Sequence, residues 1–166
     1  RWGFPLSVMR QKKLRFADIV DAYSEDIQVL PKLLPLAAQI EVRESWLAKR
    51  HELILPLLKK HGLGMWIIVN EEFHSDPLTE YVAPPRPYVG NRDIFVFLDG
   101  GDEGLKRLAV LGYNEENVER FFEIAKQGIK TLKEWDEKYK PQTMGLGIGG
   151  SRGVTRSLTH DSYKFL

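Results

Sequence analysis

Two short apolar runs, Met65–Val69 and Ile94–Leu98, dominate the hydrophobic pattern in the middle of the chain. Both are continuous and rich in β-branched or aromatic residues, which is typical of strands that are covered on both faces. A glycine-rich segment, Asp99–Gly104, separates the second run from a third, Leu105–Gly112. The pattern therefore predicts an antiparallel hairpin over residues 94–112.

The stretch before the first run predicts an amphipathic helix from Glu41 to His61. Acidic residues lie near its start and lysines near its end, as the helix dipole favours, and Gly62 suits the left-handed position after the last turn. Pro56 removes one backbone hydrogen bond, so we expect a kink there. The apolar residues that recur at helical spacing, and that we expect to face the core, are Val42, Trp46, Leu47, Leu53, Ile54, Leu57 and Leu58.

The second half of the chain carries signals for two helices, a strand and a third helix. Asn114 is suited to cap a helix that ends at Gly128, and Ile129–Tyr139 predicts a second helix. Met144–Ile148 predicts another strand. Thr159 is suited to cap a further helix that starts near His160. The expected core residues of the first two helices are Val118, Phe121, Phe122, Ala125, Leu132 and Trp135.

Helices and buried strands that alternate along the chain indicate an α/β fold, and we interpret residues 41–166 as one domain of this class. Residues 1–40 have a less regular pattern, interrupted by Pro31 and Pro35. We interpret them as an N-terminal arm that wraps over the surface, with an arm that binds a partner as the alternative. The last predicted helix has barely begun at Leu166, which indicates a domain cut from a longer protein because one-turn helices are unstable alone.

The segment between the first two strands, Asn70–Arg92, is long, polar and rich in proline. Connections of this length are typically functional or disordered, and Leu78–Val82 predicts a short helix or strand inside this one. A rigid, solvated loop is one interpretation, and a surface that contacts substrate or another subunit is the other. The candidate residues for such a rim or interface are Glu72, His74, Asp76, Arg86, Tyr88 and Arg92.

Four side chains of this loop, those of Glu71, Glu72, His74 and Asp76, offer oxygen and nitrogen ligands suited to Zn, Mn or Mg. Their spacing does not match a metal motif such as H-E-x-x-H, and polar residues after a strand are more often solvated. A Ser75–His74–Asp76 triad is disfavoured because adjacent residues do not generally converge in that geometry. We therefore assign no catalytic, cofactor-binding or metal-binding residue to this chain.

Gly145–Gly150 matches the G-x-G-x-x-G pattern of dinucleotide-binding turns. That fingerprint requires the turn to open directly into a helix. Here the glycines begin inside a predicted strand, and Ser151–Arg156 intervenes before any helix. We prefer to interpret the segment as a glycine-rich strand that allows close approach of another backbone segment.

The charge balance excludes some classes of partner. The chain of 166 residues has 24 Lys and Arg residues against 23 Asp and Glu residues, a formal net charge of +1, so we expect it to bind neither nucleic acid nor an anionic membrane. It contains no cysteine, which excludes disulfides but leaves cytoplasm, periplasm and secretion open as compartments. No apolar run approaches the ~20 residues needed to cross a bilayer.

Several of these segments together resemble one protein family. They are the helix EVRESWLAKRHELILPLLKKHGL, the strand MWIIVN, the loop EEFHSDPLTEYVAPPRPYVGNRD, the hairpin IFVFLDGGDEGLKRLAVLG, and GLGIG followed by SRGVTRSLTHDSYKFL. The combination is similar to the N-terminal domain of creatinase, aminopeptidase P and prolidase type metallopeptidases. In its loop it looks more closely like a bacterial Xaa-Pro peptidase subgroup. The resemblance covers about Glu41 to Leu166.

The resemblance implies a three-layer α/β/α domain with a mixed sheet, of the ribonuclease-H-like kind. It implies that catalysis belongs to a separate C-terminal pita-bread domain, which carries two divalent metals (Mn, Zn or Co) on two Asp, one His and two Glu. This chain would then contribute to a homodimer and to the rim that controls access of the peptide substrate. The alternatives are a free-standing binding module that uses the 70–92 loop, and a small enzyme with its site at Glu72, His74 and Asp76.

Overall fold

The computed structural model describes four stretches of the chain, residues 33–74, 76–85, 90–147 and 158–166. The chain divides into two units, residues 1–39 and 40–166, and the fold set out below is that of the second. In the first unit, the side-chain amide of Gln39 donates a hydrogen bond to the carbonyl oxygen of Leu34 (2.6 Å). Residues 1–32 of the predicted N-terminal arm lie outside the described residues.

Within these four stretches, five strands form one sheet. They are β1 (Met65–Glu71), β2 (Arg92–Asp99), β3 (Leu105–Val110), β4 (Glu123–Ile124) and β5 (Met144–Leu146). Their order in the sheet is β4-β3-β2-β1-β5. The β1–β2 and β2–β3 pairs are antiparallel, whereas the β1–β5 and β3–β4 pairs are parallel. The sheet is therefore mixed, and the predicted α/β class is confirmed.

Five helices accompany the sheet in the part of the chain that is described. They are α1 (Leu36–Lys60), α2 (Thr79–Val82), α3 (Glu116–Glu119), α4 (Ile129–Tyr139) and α5 (His160–Phe165). Helices α2, α4 and α5 confirm elements predicted at those positions. None of these helices is both long enough and apolar enough to cross a membrane.

The predicted hairpin is confirmed as β2 and β3. In the turn between them, Gly101 and Gly104 have φ values of 63° and 72°, a left-handed conformation that favours glycine. The strands beside the long loop extend past their apolar runs, because β1 ends at Glu71 and β2 begins at Arg92, and these two residues are partners in the ladder. The backbone register therefore brings two opposite charges side by side where the loop begins and ends.

The sheet is buried on both faces, as its continuous apolar runs predicted. Alternate side chains of β1 and β2 point to opposite faces, and each buried side chain contributes roughly 1.5–3 kcal/mol. The core on one face, packed by α1, includes Ile54, Leu58, Ile68, Phe95, Phe97, Val118 and Phe122. The core on the other face, packed by α4, consists of Met65, Ile67, Val69, Ile94, Val96, Leu98, Leu108, Leu132 and Trp135.

Helix α1 begins five residues earlier than the prediction, at Leu36 instead of Glu41. It starts directly after Pro35, since proline is compatible with the beginning of a helix, where backbone N–H groups lack partners in any case. The helix also continues through Pro56 to Lys60. Pro35 therefore marks the start of the helix, and Pro56 lies inside it, as the predicted range Glu41–His61 implied.

The buried face of α1 is narrower than predicted. The side chains that are buried, at intervals of three or four residues, are those of Leu47, His51, Ile54 and Leu58. Three predicted core residues instead keep 53, 60 and 48 % of their accessible surface, namely Trp46, Leu53 and Leu57. The prediction of one broad core face was wrong, because α1 contacts the sheet along one line of residues only. The other three residues, which we call the apolar stripe, remain on the surface.

The helix predicted for residues 114–128 is the largest difference between prediction and structure. Only the single turn α3 forms, and the short strand β4 follows it. The Ala125 N–H donates to the carbonyl oxygen of Ala109 (2.9 Å), so this backbone pairs with β3. Phe122 is buried against Phe95, with ring centroids 5.2 Å apart. Val118 and Phe122 thus reach the core from the single turn α3 and the residues just after it, and the prediction of a helix up to Gly128 was wrong.

Candidate functional site

A polar network closes the end of the sheet where β1 ends and β2 begins. Glu71 Oε1 accepts hydrogen bonds from the hydroxyl groups of Thr159 (2.7 Å) and Ser162. Arg92 Nε lies 3.7 Å from the same oxygen, and the Glu71 and Arg92 side chains keep only 14 % and 20 % of their accessible surface. The two charges are therefore paired in a site that is largely shielded from water.

This network holds α5 against the sheet. Thr159 Oγ1 caps α5 by accepting from the Ser162 N–H (3.2 Å), which confirms the predicted cap, and it also donates to Glu71. Near the other end of the helix, the Arg92 guanidinium lies 4.5 Å from the ring centroid of Phe165. An open depression of about 350 Å³ beside the cap is lined by Leu158, Thr159, His160 and Tyr163.

Glu71 is ionised more readily than an ordinary glutamate. Burial raises the pKa of Glu71, but hydrogen bonds from Ser162 and Thr159 and the charges of Arg92 and His74 together lower it by more. Its pKa therefore lies below the usual value. The carboxylate is a hydrogen-bond acceptor that stabilises the fold. Because its pKa is depressed, it is a poor general acid.

A tight turn, Glu71–His74, follows β1, and we call it the Phe73 turn. The His74 N–H donates to the Glu71 carbonyl oxygen (3.0 Å), and Phe73, the third residue, has a φ of 59°. A positive φ at the third position is the geometry of a type II turn, which favours glycine or asparagine. For a residue with a Cβ it costs about 1–2 kcal/mol, and the Phe73 side chain is 93 % exposed, so burial within the chain does not offset this cost.

We expect Phe73→Gly to raise the free energy of unfolding by about 0.5–1 kcal/mol, because glycine adopts positive φ without the Cβ clash. Urea denaturation of the chain measures the difference. Phe73→Ala is the matched control, since it removes the ring but keeps the Cβ, and it should not produce this gain. A glycine variant less stable than the alanine variant would contradict the strain at this position.

Asp76 shapes the backbone of the loop. Its N–H donates to Oδ1 of the buried Asn70 (2.8 Å), and its own Oδ1 accepts from the Leu78 N–H (2.8 Å). Burial raises the pKa of Asp76, against the effects of the Leu78 hydrogen bond and the charge of His74. Asp76 therefore stabilises the turn that leads into α2, a role that the sequence pattern did not reveal.

A buried histidine that the sequence pattern did not reveal connects α1 to α2. His51 Nε2 donates to the carbonyl oxygen of Val82 (2.8 Å), while Nδ1 accepts from Arg107 (3.2 Å), so the ring is neutral with its proton on Nε2. Three aromatic rings contact it edge-on at centroid distances of 5.3–5.8 Å, those of Phe97, Phe121 and Phe122. The available signal was spacing, since His51 lies four residues after Leu47 and three before Ile54.

Two further contacts hold the same part of the loop. Arg50 donates to the Tyr81 carbonyl oxygen (3.2 Å) and lies 5.6 Å from the centroid of the Tyr81 ring. The Asn117 side chain donates to the Pro85 carbonyl oxygen (2.8 Å). Hydrogen bonds therefore hold the loop at Asp76, at α2 and at Pro85.

The predicted rim residues lie in different surroundings. Glu72 is exposed in the Phe73 turn, and His74 is half-buried at the end of it. Arg92 belongs to the shielded network at the end of the sheet. Two others fall outside the described residues, Arg86 and Tyr88. Among the residues described, no group of three or more His, Cys, Asp or Glu side chains is placed to hold a metal ion.

The G-x-G-x-x-G segment is described only in part, since residues 148–150 lie outside the described stretches. Its first glycine, Gly145, belongs to β5. A Cβ at this position would lie 3.1 Å from Leu63 Cδ1 and 3.5 Å from Trp66 Cδ1. Close packing accounts for Gly145, in agreement with the interpretation of a glycine-rich strand.

Comparisons of the chain with family models, with curated proteins and with solved structures found no match. The function proposed below therefore rests on the sequence resemblance and on the geometry of the loop.

Proposed function

We propose that this chain is the non-catalytic N-terminal domain of a bacterial Xaa-Pro metallopeptidase of the creatinase, aminopeptidase P and prolidase type. The sequence segments quoted above support this proposal, and the mixed sheet with helices on both faces is compatible with a three-layer, ribonuclease-H-like domain. The reaction would belong to a C-terminal pita-bread domain with two divalent metals, Mn, Zn or Co. This chain would contribute contacts to a homodimer and a rim that controls access of peptide substrate.

The observation that carries the role of the loop is the exposed Phe73 side chain on a backbone that is held in place. The turn follows the end of β1, and hydrogen bonds to the Asn70 and Glu71 side chains fix that end of the strand. An exposed aromatic side chain on a fixed backbone is typical of a contact surface. The same surface supports the alternative function, a free-standing α/β binding module that uses the 70–92 loop.

Kinetics of the whole protein test the rim. We expect His74→Ala and Arg86→Ala to change KM, or the ratio of kcat/KM between short and long Xaa-Pro peptides, by at least about threefold, because a rim acts on binding and access. Both variants should stay folded. Lys133→Ala, on the exposed side of α4, is the matched control and should leave the kinetics unaltered.

Unchanged kinetics for both loop variants would exclude the rim role. The alternative function is distinguished separately, because a free-standing binding module would have no metal-dependent peptidase activity in any form of the protein.

A further inference from the structure

The Phe73 turn is acidic as well as apolar. Glu72 precedes Phe73 and is exposed, and Glu80 is exposed in α2. The sequence from Glu71 to Pro85 contains no lysine or arginine. An exposed aromatic residue beside an exposed carboxylate, that of Glu72, is suited to a surface that offers apolar area bordered by cations.

The apolar stripe of α1 is such a surface. Tryptophan dominates the binding energy of many interfaces, and Trp46 is half-exposed in this stripe. Four Lys or Arg residues lie three or four positions from a member of the stripe, on the same side of the helix: Arg43, Lys49, Arg50 and Lys60. Arg50 is half-buried and donates to Tyr81, and the other three are exposed. No acidic residue of the sequence stands at such a position.

We propose that the Phe73 turn of one copy of this chain binds the apolar stripe of a second copy. Phe73 packs against Trp46 and Leu53, and Glu72 lies near Lys49. The opposite arrangements are unfavourable, because stripe against stripe brings cations together and turn against turn brings carboxylates together. The inference rests on the oligomer contact in the proposed function and adds the surfaces that form it.

The geometry of the turn favours this interface. The Glu72 N–H donates to the Asn91 carbonyl oxygen (3.0 Å), and the His74 N–H donates to that of Glu71 (3.0 Å). These bonds fix the backbone on both sides of Phe73 before binding. An aromatic residue that is already positioned loses little conformational entropy when it enters a contact.

A charge exchange tests the interface in solution. We expect the wild-type chain to self-associate in sedimentation equilibrium at concentrations up to about 0.1 mM. Glu72→Lys alone and Lys49→Glu alone should each weaken this self-association at least tenfold, because each places like charges across the contact. An equimolar mixture of the two variants should associate again, since the lysine turn of one then faces the glutamate stripe of the other.

Phe73→Ala should weaken association in the same way, and Glu134→Lys, on the exposed side of α4, should not. A wild-type chain that stays monomeric over the whole range overturns the proposal. Self-association that the turn and stripe variants leave unchanged also overturns it, while the oligomer contact of the proposed function then stands on another surface. Peptidase activity of the whole protein is measured separately, so its failure is distinguishable from either result.

Discussion

Glu71→Ala is expected to lower the free energy of unfolding by about 3 kcal/mol at neutral pH. The substitution leaves the shielded Arg92 without its carboxylate, and it leaves the hydroxyl groups of Thr159 and Ser162 without their acceptor. Urea denaturation measures the effect. Glu134→Ala, an exposed glutamate on α4, is the matched control and should change stability by less than about 0.5 kcal/mol.

The effect of Glu71 should depend on pH in one direction. Because hydrogen bonds and charges hold the pKa of Glu71 below its usual value, the carboxylate stabilises the fold fully above the ordinary glutamate pKa of about 4.3. This stabilisation is lost as pH falls through the lower pKa of the folded state. The stability difference between wild type and Glu71→Gln should therefore shrink on acidification. A difference that stays constant down to about pH 2.5 would contradict this assignment.

His51→Ala is expected to destabilise the chain by about 3 kcal/mol. The substitution opens a cavity among three phenylalanine rings and leaves the carbonyl oxygen of Val82 without its donor. Thermal or urea unfolding measures the loss. His61→Ala, at an exposed histidine just after α1, is the matched control and should have little effect.

The stability that His51 contributes should be lost in acid. Burial lowers the pKa of His51, and the charge of Arg107 lowers it further against the opposing hydrogen bond to Val82. The folded chain therefore binds a proton less readily than the unfolded chain, so the contribution is complete above the ordinary histidine pKa of about 6.5 and falls below it. His51→Gln should show a shallower decline in stability between about pH 7 and pH 5. Parallel declines would count against a neutral buried ring.

Strands β1, β2 and β3, with the hairpin, were predictable because their signals are local. Continuous apolar runs, β-branched residues and glycines in the turn lie within a few positions of one another. The same is true of α4 and of the cap at Thr159, where one residue type at one position is sufficient. The local sequence is sufficient to predict these elements, and the tertiary contacts of the fold are compatible with them.

Tertiary contacts overrule local pattern in two other places. Residues after α3 pair with β3, and a helical spacing of Val118 and Phe122 does not reveal that competing ladder. On α1, the residues Leu47 and Trp46 have similar hydrophobicity, but only the line of the helix that meets the sheet is buried. The hydrophobic pattern shows which residues of a helix form an apolar face. Contact with the sheet decides which of those residues are buried.

The candidate site was predictable as a region but not as a set of contacts. The loop was identified by its length and polarity, and Glu72 and His74 do lie together in its first turn. The two hydroxyl groups that donate to Glu71, however, belong to residues 88 and 91 positions away along the chain. Contacts over such a separation depend on the complete fold, so no spacing rule could find Thr159 or Ser162.

Hydrolysis of an Xaa-Pro dipeptide in the presence of Mn²⁺ tests the central claim most directly. The assay compares the 166-residue chain with the longer protein that the proposed function implies. We predict turnover by the whole protein, dependent on the metal and abolished by a chelator, and no turnover by the chain alone. Turnover by the isolated chain, or none by the whole protein under any divalent metal, would contradict the assignment of this chain as a non-catalytic domain of a metallopeptidase.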